Sequence, residues 1–116
     1  MRRIVELLAD ARDHAQRASD YVDAIDYFAF TADQLRRDAV CFCLIAVGEA
    51  CGQAARRTPT LPLEIPWTAI KAMRNILVHE FWQIDYAIVY SIARDDAALL
   101  AGDLNGLIDQ LKSAKP

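Results

Sequence analysis

A chain of 116 residues, 54 % apolar and 25 % charged, has the size and composition of a single domain spanning 1–116 with its own hydrophobic core. Its net charge of −3, from 13 basic and 16 acidic residues, excludes a global pull toward nucleic acid, so such a function needs locally concentrated cations. No run reaches the ~18 to 20 consecutive apolar residues of a bilayer span, and no membrane partner is expected.

The start, "MRRIVELLADARDHAQ", resembles a signal peptide only in its two arginines. Glu6 and Asp10 interrupt the apolar stretch and no small-residue cleavage site follows, so a cytoplasmic address is expected. From about Arg2 to Val22, the residues Ile4, Leu7, Leu8, Ala11, Ala15 and Ala18 recur at helical spacing and predict a first helix. The less regular "DAIDYFAFTADQLRRD" has room for a short helix, with Tyr27, Phe28 and Phe30 expected in the core or at an interface.

A long helix is predicted from about Asp33 to Arg57. Its middle, "AVCFCLIAVGEACG", is apolar nearly all round, the pattern of a central helix covered on several sides. Ala46, Gly48, Ala50 and Gly52 let neighbouring helices approach closely. Cys41, Cys43 and Cys51 are odd in number, and Cys41 and Cys43, two apart on a helix, point in diverging directions. They fit neither a disulfide framework nor a zinc site, and read as small buried apolar groups in a reducing compartment. Glu49 stands alone in this run; a carboxylate buried there without a partner costs several kcal/mol, so a cation should reach it. Arg36-Arg37 and Arg56-Arg57, the visible candidates for local positive charge besides Arg74, read as solvated helix surface.

"TPTLPLEIP" ends that helix in a proline-rich loop, and Pro66 suits the first turn of the next, from about Trp67 to Phe81. Asp85 is placed to cap the last helix, with Ile84 and Val89 as its hydrophobic staple. This helix runs toward Leu111 with a bend expected near Gly102 or Gly106. The fold class is therefore all-α, an up-and-down bundle of four main helices plus a short one.

The fourth segment, "KAMRNILVHEF", is the unusual one. At 100° per residue, Ile70, Met73, Leu77 and Phe81 share one arc that should enter the core, and Arg74 falls on it. Asn75 and His79, four apart, lie together on another face. A guanidinium cannot shed its proton, so Arg74 needs a carboxylate, carbonyls or an opening. Glu49 is the obvious carboxylate. A buried Arg74–Glu49 pair fixing helix register and a functional arginine both fit the wheel. Arg74 and His79 point about 140° apart on an ideal helix. They serve one site only if the helix end deforms, if Arg74 reaches along the axis, or if a second subunit completes a cleft.

"IPWTAIKAMRNILVHEFWQID" resembles the signature region of the HepT-like ribonuclease toxins of the HEPN superfamily. The matched features are the I-P-W helix start, the M-R-N, the arginine followed by four residues and then histidine, and the Asp after the next short loop. Upstream, "RRDAVCFCLIAVGEA" resembles the family's helix carrying D-A-V and G-E-A, Glu49 included. The resemblance spans about residues 28 to 111. It implies a helical homodimer with a metal-independent, cofactor-free endoribonuclease site, where two R-x4-H motifs meet in a cleft. It implies a toxin–antitoxin setting, with a minimal nucleotidyltransferase antitoxin as partner and RNA as substrate. In some members that partner adds AMP to a tyrosine two residues after the histidine. Here the position is Phe81, which has no hydroxyl to modify; Tyr86 and Tyr90 are near in sequence but off the motif position.

The residue types support that chemistry. RNA carries its own nucleophile, the 2′-hydroxyl beside each phosphate. Histidine exchanges protons near neutral pH, which suits His79 to general acid–base work. Arg74 suits a phosphate and its transition-state charge, Asn75 orients the imidazole or the substrate, and Glu49 orients Arg74. The alternative from another class is a non-catalytic helical dimer that binds a nucleotidyltransferase or nucleic acid, with Arg74 and His79 as structural or nucleotide-binding residues.

Overall fold

The computed structural model describes residues 2–58 and 60–114. The helices are α1 (Ile4–Val22), α2 (Tyr27–Ala32), α3 (Gln34–Arg57), α4 (Trp67–His79), α5 (Tyr86–Ser91) and α6 (Ala97–Ser113). A single 3-10 turn (Phe81–Gln83) follows α4, and a π-helical turn (Ile92–Asp96) joins α5 to α6 into one rod. No strand occurs among the described residues, and the protein is all-α with four long rods and the short α2.

Two stacked layers of core fix the helix directions. One gathers Leu7, Leu8, Cys51, Ala54, Ile70, Leu104 and Ile108; the other gathers Ala18, Val22, Val40, Leu44, Leu77, Val89 and Ala97. Rods α1 and α4 run from the first layer to the second, and α3 and α5–α6 run back. The topology is up-down-up-down, with α1 packed on α3 and α6, and α4 resting almost entirely on α3. The α1 stripe is as its spacing predicts, with Leu7, Leu8, Ala11, Ala15 and Ala18 all buried.

Local chemistry sets the helix ends. Asp26 and Asp33 cap α2 and α3 by accepting from Ala29 N (2.8 Å) and Arg36 N (3.0 Å). The Arg36 backbone N–H, then its side chain, hold the Asp33 carboxyl below the usual carboxylate range. Asp85 caps α5 through Ala87 N at 3.0 Å, and the second core layer that takes in Val89 is the one Ile84 packs against. Pro66 sits at the N-cap of α4, one residue ahead of the helix instead of inside its first turn. Trp67 closes the preceding loop by donating from Nε1 to Pro62 O (2.7 Å).

Several expectations are corrected. Rod α6 runs unbroken through Gly102 and Gly106; the irregularity lies upstream, at Ile92–Asp96. Of the early aromatics Phe30 lies in the core, as expected, and Phe28 is exposed. Arg36 and Arg37 are half-buried fasteners: Arg36 Nη1 donates to Tyr21 O (2.6 Å), and Arg37 donates to Thr31 O and stacks over Tyr86. They tie the start of α3 to α1 and α2.

All three cysteines are buried, as their composition suggests. Loss of solvation pushes the Cys41 thiol up to about 11 and the Cys51 thiol up to about 12. Rod α3 is apolar and long enough to cross a bilayer by length and composition, and half of its most apolar window is buried in the bundle.

Candidate active site

The site is built where α4 crosses α3. A Cβ placed on Gly48 would lie 2.3 Å from Arg74 Cβ and 2.7 Å from Arg74 Cγ. Only a residue without a side chain lets the two helices meet there, so Gly48 sets how closely Arg74 approaches α3. With its stem seated on that bare backbone, the guanidinium emerges beside the next residue of α3, Glu49.

The guanidinium then gathers the site residues expected from the sequence, Glu49, Asn75 and His79, but not Phe81. Arg74 Nε donates to Glu49 Oε1, and Nη1 donates to Asn75 Oδ1 at 3.0 Å. The same Nη1 lies 3.4 Å from His79 Nε2. Nη2 makes no hydrogen bond among the described residues. Thus Arg74 reaches along its own helix axis and spans the angular gap to His79 within one chain. Helix α4 ends at His79, because Glu80 (φ −128°, ψ 37°) leaves the helical region.

Because arginine only donates, the Nη1 contact uses the lone pair of Nε2 and leaves the imidazole proton on Nδ1. At 3.4 Å the contact is long, so that lone pair is only weakly engaged. The arrangement offers three groups to an anionic ligand: a spare pair of guanidinium N–H bonds, an imidazole nitrogen able to take a proton, and an amide fixed beside both.

Two expectations about this helix are corrected. The Arg74–Glu49 pair forms, but it is not buried: the side chains are 28 % and 45 % exposed. The apolar run around Glu49 hid that it occupies the one face of α3 left open between α1 and α4. At the surface such a pair contributes about 0–1 kcal/mol, so stability alone gives little reason for it. Phe81, placed on the core arc by the helical wheel, lies beyond the end of α4 and is 66 % exposed. Ile70 and Leu77 do enter the core, and Met73 is half-buried.

Trp82, which no spacing argument singled out, stands beside Phe81 and is equally exposed. The available signal was an adjacent aromatic pair directly after a helix-terminal histidine. Among the described residues no three His, Cys, Asp or Glu side chains cluster as metal ligands would. An apolar groove of about 290 Å³ runs between α4 and α6, lined by Ile70, Met73, Ile92 and Leu100, and none of the four clustered residues borders it.

Residues 11–105 match the family described as ribonuclease HepT-like. The chain belongs to the HepT-like ribonuclease family. It is 28 % identical over 95 residues to a Methanocaldococcus jannaschii protein named "Putative RNase MJ1380", covering 82 % of this chain and 87 % of that one. It is 27 % identical over 106 residues to the "Probable ribonuclease HepT" of Thermococcus cleftensis, covering 83 % of this chain and 96 % of that protein. No solved structure matches the chain. The HepT-like match takes in the whole of α3 and α4, and with them every residue of the Arg74 cluster.

Proposed function

We propose that this HepT-like chain is a metal-independent endoribonuclease, the toxin of a toxin–antitoxin pair, with Arg74 and His79 as its catalytic residues. The observation that carries the reading is the single Arg74 guanidinium that joins Glu49, Asn75 and His79 at an open surface. The 2′-oxygen attacks the adjacent phosphorus and the bond to the 5′-oxygen breaks. His79 Nε2 takes the 2′-hydroxyl proton, and an imidazolium returns a proton to the leaving 5′-oxygen. The products are a 2′,3′-cyclic phosphate and a 5′-hydroxyl. Arg74 donates its spare N–H bonds to the non-bridging oxygens as charge builds on them. Asn75 steadies the guanidinium beside the imidazole, and Glu49 anchors Nε so that the Nη atoms face the substrate.

The chain acts as one cytoplasmic domain in a homodimer, which brings a second Arg74–His79 motif to the cleft to supply the acid. Leu35, Phe42 and Glu49, seven residues apart, share one face of α3, and Leu35 and Phe42 are exposed there. That apolar stripe is the face we assign to the second copy. A minimal nucleotidyltransferase neutralises the enzyme without adding AMP at Phe81. The second reading, a non-catalytic dimer that holds the nucleotidyltransferase, a nucleotide or nucleic acid, draws its support from the same phenylalanine.

An RNA cleavage assay decides between them. Wild type should cut RNA equally with and without EDTA and leave cyclic phosphate ends. Arg74→Ala and His79→Ala should each lower the rate about 100-fold or more. Equal cleavage by wild type and the double variant, or abolition by EDTA, rejects the proposed mechanism. Growth arrest that requires His79 supports the toxin, whereas a harmless protein that still co-purifies with the nucleotidyltransferase supports the binding module.

A further inference from the structure

Phe81 and Trp82 are an adjacent aromatic pair that the core does not use, placed directly after the candidate site. The 3-10 turn Phe81–Gln83 buries none of its residues, and both rings are 66 % exposed. Large aromatics stranded in water contribute nothing to the core, so their presence on a three-residue turn asks for a ligand. The rings meet edge to face, with centroids 5.5 Å apart and planes at 82°. That geometry covers one face of one ring and leaves the remaining faces free for a flat partner.

The position of the turn says which partner. Trp82 follows His79 by three residues, so their Cα atoms lie within about 11 Å even if the chain were fully extended. The two exposed rings therefore begin only two residues after the imidazole, so that one strand whose phosphate meets Arg74 and His79 passes close to the turn that carries them. A nucleic acid strand presents an anionic group and a flat aromatic group at that kind of separation. The nearby carboxylate of Asp85 is occupied in capping α5 and is held to Ala87 N.

We infer that Trp82, in edge-to-face contact with Phe81, is a stacking platform for an unpaired nucleobase next to the phosphate held by Arg74. The inference rests on the ribonuclease reading and narrows it: the substrate is single-stranded RNA, engaged with one base splayed out of its stack. Aromatic stacking accepts any base, because every base has a π-face, so this platform confers a preference for unpaired strand over duplex more than for sequence.

The test uses the full chain carrying Trp67→Phe, which leaves Trp82 as the sole tryptophan, its fold checked by circular dichroism. The probe is a short single-stranded RNA with every 2′-hydroxyl methylated, so that it binds without being cut. Titration should quench Trp82 fluorescence saturably, and the same RNA annealed to its complement should quench far less. With cleavable RNA, Trp82→Ala should raise KM about five- to 150-fold while kcat stays within about threefold. Trp82→Phe, which keeps a π-face, should recover most of the loss.

The outcomes separate the two readings. If wild type cleaves RNA but Trp82→Ala leaves KM unchanged and the probe does not quench, the platform is overturned and the ribonuclease stands. If the probe quenches Trp82 but nothing is cleaved, the base-binding site stands and the ribonuclease falls. Neither quenching nor cleavage overturns both. Dissociation of a dimer by Trp82→Ala in sedimentation, without quenching by RNA, assigns the rings to a second copy and overturns the platform.

Discussion

Replacing Gly48 by alanine probes the contact on which the whole site is seated. The new Cβ would stand 2.3 Å from Arg74 Cβ, against 3.4 Å for the tight end of ordinary packing, so Arg74 must retreat by 3.4 − 2.3 = 1.1 Å. The clashing atom is the root of the Arg74 side chain, which no rotamer change can move; the helix itself has to shift. Because α4 rests almost wholly on α3, it has little else to hold it in place. Alanine gains about 0.5–1 kcal/mol in helix propensity, while overpacking of this kind costs about 1–3 kcal/mol. The net loss, up to about 2.5 kcal/mol, should lower the melting temperature by up to about 10 °C. Displacing the guanidinium by roughly 1 Å should lower RNA cleavage about 100-fold. Thermal melts and cleavage rates are to be compared with Gly52→Ala, where a Cβ would meet only the flexible end of Arg56 at 3.4 Å. That control should melt up to about 1 kcal/mol more stably than wild type and cleave normally. A Gly48→Ala variant that melts no lower than Gly52→Ala and cleaves RNA at the wild-type rate would show that the α3–α4 contact does not seat the site.

Glu49→Ala should change unfolding free energy by less than about 1 kcal/mol, since the pair it breaks is partly exposed. It should nonetheless cut cleavage about tenfold by freeing the guanidinium, so a urea titration and a rate measurement on one preparation test both halves. Tyr90 donates from its hydroxyl to Ile25 O at 2.5 Å. Tyr90→Phe should leave that carbonyl unpaired at a cost of about 1–2 kcal/mol, read from the urea midpoint, with cleavage untouched. The buried thiols predict a pH effect with a definite sign. Their folded-state values are raised above the ordinary 9.0, so their contribution is intact below pH 9. It is then lost as pH rises toward about 11 for Cys41 and about 12 for Cys51. Urea midpoints at pH 8 and pH 10 should therefore differ, by roughly 1 kcal/mol per thiol, and iodoacetamide at pH 8 should label these cysteines only once denaturant is added.

What the sequence made legible follows from periodicity and caps. The α1 stripe, the all-round apolar α3 and the Asp85 cap are each written in residues a few positions apart, and local rules read them. The pairing of Arg74 with Glu49 was legible because a lone cation and a lone carboxylate in apolar runs need one another. The exposure of Glu49 was not, since it depends on which face of α3 the other helices leave uncovered. Phe81 was misplaced for a related reason. A helical wheel continues past the true helix end unless a breaker marks it, and Glu80 is no obvious breaker. The inward-turned arginines Arg36 and Arg37 hold carbonyls that belong to other helices, and no pattern within α3 announces that.

The π-helical turn at Ile92–Asp96 resolves a phase problem in the last rod. The residues buried along it, Val89, Ala93, Ala97 and Ala101, are spaced by four, whereas an α-helix returns to the same side every 3.6 residues. Three such steps carry the stripe about 120° around the rod, enough to swing Leu104, Leu107 and Ile108 away from α1. One extra residue taken up in a π turn cancels about 100° of that drift. Both ends of the rod then face the same neighbours, Val89 and Tyr90 in one core layer and Leu104 and Ile108 in the other. The succession of fours, and neither of the glycines that follow, is where the sequence records that the helix must change pitch.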